Sequence, residues 1–209
     1  LETYLRSHID AEGDYLYQLY RATNIHTVHG RMASGHLQGR LLKMFVEMIQ
    51  PKNILEIGTF SGYSAICMAE GLGEDGRLYT FEINDEMEDF TRPWIENSPV
   101  ASKIHFIIGD ANVEAPKLNI VFDMAFVDGD KRTYIETYET VLKLLRPGGF
   151  ILADNTLWDG HVIDPHYQHD AQTQGIAQFN DFIAQDARVE KVILPIRDGL
   201  TIIRKKLNE

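Results

Sequence analysis

Apolar residues along this chain come in two rhythms. Short, nearly continuous apolar runs alternate with longer segments in which apolar residues recur every three or four positions. Residues 3–22 carry Leu5, Ile9, Leu16, Leu19 and Tyr20 as a broken stripe and predict a helix. His36 to Ile49 predicts a second helix, stopped before Pro51. From there the runs read as strands: Asn53–Ile57, Arg77–Phe81, Ile104–Ile108, Phe122–Val127 and Phe150–Ala153, the last entered through the turn Arg146-Pro147-Gly148-Gly149. Helical segments lie between or after them at Tyr63–Glu70, Glu86–Asn97, Lys131–Leu145 and Gln172–Gln185. Two further strands, Val189–Leu194 and Leu200–Ile203, are separated by a short loop containing Asp198-Gly199.

Strands spaced by helices predict an α/β fold with a parallel sheet and right-handed crossovers. The last two strands are too close in sequence for a crossover, so they must form an antiparallel hairpin at one side of that sheet. No repeat or linker interrupts the pattern, and 209 residues suit a single domain.

Charge narrows the partners. Twenty basic against 31 acidic residues give a net charge of −11, which disfavours a large nucleic-acid footprint or an anionic membrane surface. The single cysteine, Cys67, has no internal disulfide partner, and no apolar stretch reads as a signal peptide or a membrane span. A reducing, cytoplasmic location is the expectation.

Chemistry concentrates where strands end. Strand 1 runs into Glu56-Ile57-Gly58-Thr59-Phe60-Ser61-Gly62-Tyr63-Ser64, a glycine-bearing turn that opens a helix. Gly58 and Gly62 permit positive φ, serving either close approach of a ligand or only a tight strand–helix connection. The helix start offers free N–H groups to a carboxylate. The three-glycine spacing of dinucleotide-binding turns is absent. Glu82, after strand 2, can accept both hydroxyls of a ribose, and Asp110, after strand 3, can meet an adenine amino group. A nucleoside joined to a zwitterionic amino acid, as in S-adenosylmethionine, fits these features better than a dinucleotide. Glu56, inside an apolar strand, is a candidate for the cofactor or for bonding nearby backbone N–H groups.

A second constellation lies at the next strand ends. Asp128 and Lys131 follow strand 4, and Asp154 and Asn155 follow strand 5. Two carboxylates and an amide oxygen are hard ligands suited to Mg²⁺ or a similar divalent ion (Mn²⁺ or Ca²⁺), whereas zinc would prefer His or Cys. Lys131, beside such a cation, would have its pKa lowered and could serve as a base. Asp130 reads as a surface carboxylate or helix cap. Asp128, Asp154 and Asn155 could each also be ordinary turn residues. Trp158, Tyr167 and Phe179 are candidate walls for a planar substrate, with packing as the alternative for each. His161, His166 and His169 have no metal-ligand spacing and read as a surface loop.

These segments resemble the cation-dependent class I O-methyltransferases, the group of caffeoyl-CoA and catechol O-methyltransferases and their bacterial relatives. The resemblance is carried by residues 55–64, Phe126-Val127-Asp128-Gly129-Asp130-Lys131, Arg146-Pro147-Gly148-Gly149, Asp154-Asn155-Thr156-Leu157-Trp158-Asp159-Gly160, and the hairpin from Leu194 to Ile202. It covers roughly residues 25–206. It implies a Rossmann-like three-layer sandwich with a seven-stranded, mostly parallel sheet, and a homodimer. It also implies one methyltransferase domain over residues 1–209, with N-terminal helices in residues 1–50 closing over cofactor and substrate and a core in residues 51–209. Asp128, Asp154 and Asn155 would be the metal ligands. Asp128 and Lys131 would be catalytic, Lys131 as the base. Met32, Ser34, Gly58, Thr59, Phe60, Ser64, Glu82, Asp110, Ala111 and Asp128 would line the cofactor site. Asp198 would fall where plant members place a substrate-contacting acid, and the acceptor would be a small hydroxylated aromatic molecule. The implied reaction is transfer of a methyl group to one oxygen of a catechol-like pair. Some relatives methylate a hydroxylated uridine in tRNA, which the net charge argues against. A non-catalytic cofactor-binding scaffold would have no need of the Asp128, Lys131, Asp154 and Asn155 set.

Overall fold

A computed structural model describes residues 2–207. Its helices are α1 (Glu2–Arg6), α2 (Asp14–His26), α3 (Gly35–Ile49), α4 (Tyr63–Gly71), α5 (Glu88–Glu96), α6 (Ala111–Glu114), α7 (Tyr134–Leu144) and α8 (Ala171–Gln185). Its strands are β1 (Asn53–Ile57), β2 (Arg77–Glu82), β3 (Ile104–Ile108), β4 (Phe122–Val127), β5 (Leu145–Asp154), β6 (Val189–Leu194) and β7 (Leu200–Lys205). They form one seven-stranded sheet in the order β3-β2-β1-β4-β5-β7-β6. Pairs β1–β4, β2–β3 and β4–β5 are parallel, and β7 runs antiparallel to both β5 and β6. The fold is therefore the expected mostly parallel α/β sheet closed by an antiparallel hairpin. β1 and β4 are buried almost throughout, as parallel strands covered on both faces must be.

The chain clusters into two compact units. One comprises residues up to Lys52 with Thr59–Gly109; the other comprises Asn53–Gly58 with the chain from Asp110 onward. In the first, α4 is buried from Tyr63 to Ala69, while α3 buries Leu42 and Val46 and ends at Gln50 in a left-handed cap before Pro51. In the second, Ile176, Phe179 and Ile183 form the buried stripe of α8.

The structure departs locally from the sequence expectation in three places. The single helix predicted over residues 3–22 is two helices. The Ser7 hydroxyl and the His8 ring bond back to the Tyr4 carbonyl and close α1, and the Glu12 carboxylate, just before α2, takes the Tyr63 hydroxyl. β5 begins at Leu145 and includes the Arg-Pro-Gly-Gly segment read as a turn. Its register against β4 shifts between Phe122 and Met124, and an irregularity of this kind admits proline into a strand. Lys131–Thr133 is a 3₁₀ turn preceding α7.

Candidate active site

In the second unit, β4 and β5 deliver the expected cluster. Their register pairs Val127 with Ala153, so Asp128, just past β4, and Asp154, the last residue of β5, follow at adjacent strand ends, whose spacing is about 4.8 Å. Asp154 is 3% exposed, and one of its oxygens accepts the Asn155 backbone N–H at 2.9 Å. Lys131 is buried. Its Nζ donates to Asp128 Oδ1 at 2.8 Å and to the Tyr134 hydroxyl at 2.8 Å. The Tyr134 hydroxyl lies 3.1 Å from the Val127 carbonyl and 2.9 Å from that of Asp154, and so ties the two strand ends together.

Burial works against charge on Lys131, but the Asp128 carboxylate and the Tyr134 hydroxyl outweigh it and hold the ammonium above the ordinary lysine range. This is the direction set by the 2.8 Å carboxylate; the lowering expected from the sequence belongs to Lys131 beside a bound cation. Burial likewise pushes the Tyr134 phenol up.

Asn155 adopts φ 58°, a left-handed conformation that asparagine tolerates. Its Nδ2 donates to Asp198 Oδ2 at 2.7 Å. Two carboxylates and an amide oxygen at adjoining positions fit a small hard cation. The set contains no third acidic or imidazole ligand, and among the described residues no cluster of three or more His, Cys, Asp and Glu side chains is arranged to hold a metal. Any cation would share Asp128 with Lys131. Asp130 is the 3₁₀ cap foreseen for it: it accepts the Arg132 N–H at 3.0 Å, and the Arg132 guanidinium lowers its pKa to about 2.

The turn after β1 begins with Gly58, still in the second unit. Gly58 has φ 96°, and a Cβ there would lie 2.3 Å from the Asp128 carbonyl oxygen. Its glycine is thus required by close packing against β4's end, whatever ligand approaches. In the first unit the turn continues from Thr59. The Thr59 and Thr80 hydroxyls are 2.5 Å apart. Phe60 sits at φ 46°, an unfavourable conformation for an aromatic residue. It is held there by its N–H bond to Glu82 Oε2 at 2.8 Å and by the Thr91 hydroxyl on its carbonyl. Glu82 is 8% exposed, and its other oxygen accepts the Asn84 N–H at 2.9 Å. Each carboxylate oxygen keeps a second lone pair, which suits a vicinal diol. Ser61 Oγ, in the same turn, is buried with no hydrogen-bond partner among the described residues. A buried orphan hydroxyl on a strained turn, with a carboxylate acceptor from the end of β2 bonded to that turn, fits a polar nucleoside ligand.

The other candidates lie as follows. Ser34, at the start of α3, and Ser64, in α4, are buried; Met32 is exposed. Glu56 is fully buried in β1. Asp110 caps α6 by accepting the Asn112 N–H, with Ala111 buried behind it. The Trp158 ring lies 5.9 Å from Lys131 Nζ. Phe179 is core packing, edge-on to Tyr134 and Tyr138. Tyr167 stacks on His161 in the loop after β5. Tyr134 escaped the sequence reading. Its spacing of three from Lys131, at a helix start, was the available signal.

The O-methyltransferase family model matches residues 6–206. The chain is 36% identical over 206 residues to tricin synthase 2 of Oryza sativa subsp. japonica, covering 93% of this chain and 70% of that protein. It is 32% identical to a caffeoyl-CoA O-methyltransferase of Stellaria longipes, covering 93% and 84%. Among solved structures, the O-methyltransferase TomG of Streptomyces achromogenes, in complex with SAM, superposes with a TM-score of 0.89 at 30% identity over 98% of this chain and 95% of that one. An O-methyltransferase of Bacillus cereus in complex with SAH gives 0.88 at 29%, over 98% and 96%. The chain belongs to the O-methyltransferase family.

Proposed function

We propose that this enzyme transfers the methyl group of S-adenosylmethionine to one hydroxyl of a catechol-like small molecule, with a divalent cation such as Mg²⁺ held by Asp128, Asp154 and Asn155. The observation that carries the reading is the cluster of buried Lys131 and Tyr134 with half-buried Asp128 at the end of β4, beside the Asp154 end of β5. A fold alone has no use for a lysine buried with a carboxylate and an adjacent second carboxylate, since burying charge is costly. The caffeoyl-CoA O-methyltransferases among the relatives support a phenolic acceptor, and the SAM and SAH complexes of similar structures support the donor.

In this reading Thr59, Phe60 and Ser64 line the donor's turn, and Glu82 receives its ribose hydroxyls. Asp110-Ala111 takes the adenine side, and Ser34 and Met32 belong to the N-terminal segment over the donor. When bound, the donor supplies an electrophilic methyl group and the cation supplies Lewis acidity that eases loss of a phenolic proton. A cation on Asp128 would offset the carboxylate that holds Lys131 as an ammonium, and Lys131 Nζ, as the neutral amine, would receive that proton. Its bonds to Asp128 and Tyr134 occupy two of its three hydrogen-bonding directions, so the third is the one left for the acceptor hydroxyl. Trp158, beside Nζ, offers a flat wall to an aromatic ring. Sulfonium and oxyanion neutralise each other as they react, so positioning contributes more than base strength.

The test is a methyl-transfer screen of catechols and catechol-bearing thioesters, each with Mg²⁺ and with a chelator. Transfer to a vicinal diol that stops on chelation is expected. Equal transfer to a monophenol with chelator present would contradict the reading.

A further inference from the structure

The Asn155 amide has two ends, and only its oxygen can ligate a cation. What decides which end is left for a ligand is on the β6–β7 hairpin. Asp198 Oδ2 lies 2.7 Å from Asn155 Nδ2, and a carboxylate accepts but cannot donate, so it fixes the NH₂ toward itself and turns Oδ1 the other way. The hairpin loop also grips the backbone that carries the amide. The Asp198 carbonyl accepts the Leu157 N–H at 2.8 Å and the Trp158 N–H at 2.9 Å, and the Gly199 carbonyl accepts the Thr156 N–H at 3.1 Å. The Thr201 hydroxyl donates to that of Thr156 at 2.8 Å. Gly199, at φ 98°, allows this approach: a Cβ there would lie 2.5 Å from the Leu157 nitrogen.

We infer that Asp198 is a positioning residue that sets the orientation of the Asn155 amide for cation binding. This rests on the proposed metal set of Asp128, Asp154 and Asn155. It differs from the direct substrate contact that the resemblance implies for Asp198. Partners that orient a metal's ligands are worth about 10–100-fold in affinity, and an amide that must first turn over belongs in that range.

The experiment is calorimetric titration of the full chain with Mn²⁺ alone, without donor or acceptor, on wild type, Asp198→Ala, Asp198→Asn and Asn155→Ala. Thermal melts check that each variant folds. Asp198→Ala keeps the backbone bonds of the loop, and Asp198→Ser, one atom shorter than aspartate, replaces it if it does not fold. Asp198→Asn can still accept from Asn155 through its own Oδ1. The expected result is a Kd raised about 10-fold or more in Asp198→Ala and close to wild type in Asp198→Asn. Equal weakening in both variants would assign the effect to charge and overturn the orienting role. Unchanged Mn²⁺ affinity in Asp198→Ala, with a raised acceptor KM, would overturn it in favour of substrate contact. Wild type that binds no better than Asn155→Ala would remove the metal reading itself, and the inference with it.

Discussion

Two regions of the second unit sit next to each other in sequence and are built on opposite plans. At the ends of β4 and β5, the buried side chains are held by the sheet and by each other: Lys131 by the half-buried Asp128 and by Tyr134, and Tyr134 by two strand carbonyls. The loop from Trp158 to Asp170 is held mostly by itself. His161 stacks on Tyr167, His166 pairs with Asp164 at 2.8 Å, and Gln168 offers its carbonyl to Gln174. Its backbone departs from regular structure at Trp158, Asp159 and Gly160, all at positive φ. Side chains fixed by a sheet can be placed to fractions of an ångström, which proton transfer needs. A loop fixed by exposed local contacts can change without disturbing that sheet. On the proposed reading, the contrast assigns the chemistry to the strand ends and leaves the choice of acceptor to the loop.

The contrast would break first at Lys131. Lys131→Ala should lower kcat/KM by about 10²–10⁴, the usual worth of a positioned proton-transfer group, with donor affinity by calorimetry unchanged. A loss of only a few fold would show that the buried cluster is structural. Tyr134→Phe comes next. It leaves the Val127 and Asp154 carbonyls without that hydroxyl and should lower stability by about 1–3 kcal/mol in a denaturant melt. It should also lower kcat more than KM, because Lys131 loses one of its two anchors. Intact stability together with intact kcat would remove Tyr134 from the account.

A smaller effect separates scaffold from site. Asp186, at the end of α8, accepts the Tyr138 hydroxyl at 2.8 Å and pairs with Arg188. The Arg188 guanidinium leads in holding its carboxyl at about 2, below its ordinary 3.8. A depressed carboxylate pKa stabilises the fold above the unfolded value and loses that contribution as pH falls from near 4 toward 2. Asp186→Asn should therefore flatten the stability profile in that window and leave kcat near neutral pH unchanged. An unaltered acid profile would contradict the assignment. The smallest effect belongs to the loop. Tyr167→Ala removes a half-exposed stack worth about 0.5–1.5 kcal/mol. It should move acceptor KM by less than about tenfold and leave kcat in place. A collapse of kcat would mean that the loop takes part in the chemistry.

Most of the sheet was legible because its strands are written as short apolar runs: the buried β1 and β4 and the edge strand β3 fall where those runs predict them. The sequence also placed Asp128, Lys131, Asp154 and Asn155 at strand ends, since acid, amide and lysine at the end of an apolar run stand out. The rest depended on distant partners. The break before α2 depends on Glu12 meeting Tyr63, 51 residues away. The start of β5 depends on Arg146 meeting Asp123 at 2.6 Å. The direction of the Lys131 shift depends on how close Asp128 comes, and the orientation of Asn155 on a hairpin 43 residues later. Periodicity records which face of an element is buried and says nothing about which side chain meets it there.

The central claim is that strand-end oxygens hold a cation on which transfer depends. The direct measurement is methyl transfer to a catechol by wild type and Asp154→Ala, each with Mg²⁺ and with a chelator. The account predicts activity in wild type with Mg²⁺ alone and loss in the other three conditions. Full activity of Asp154→Ala in the presence of chelator would contradict it.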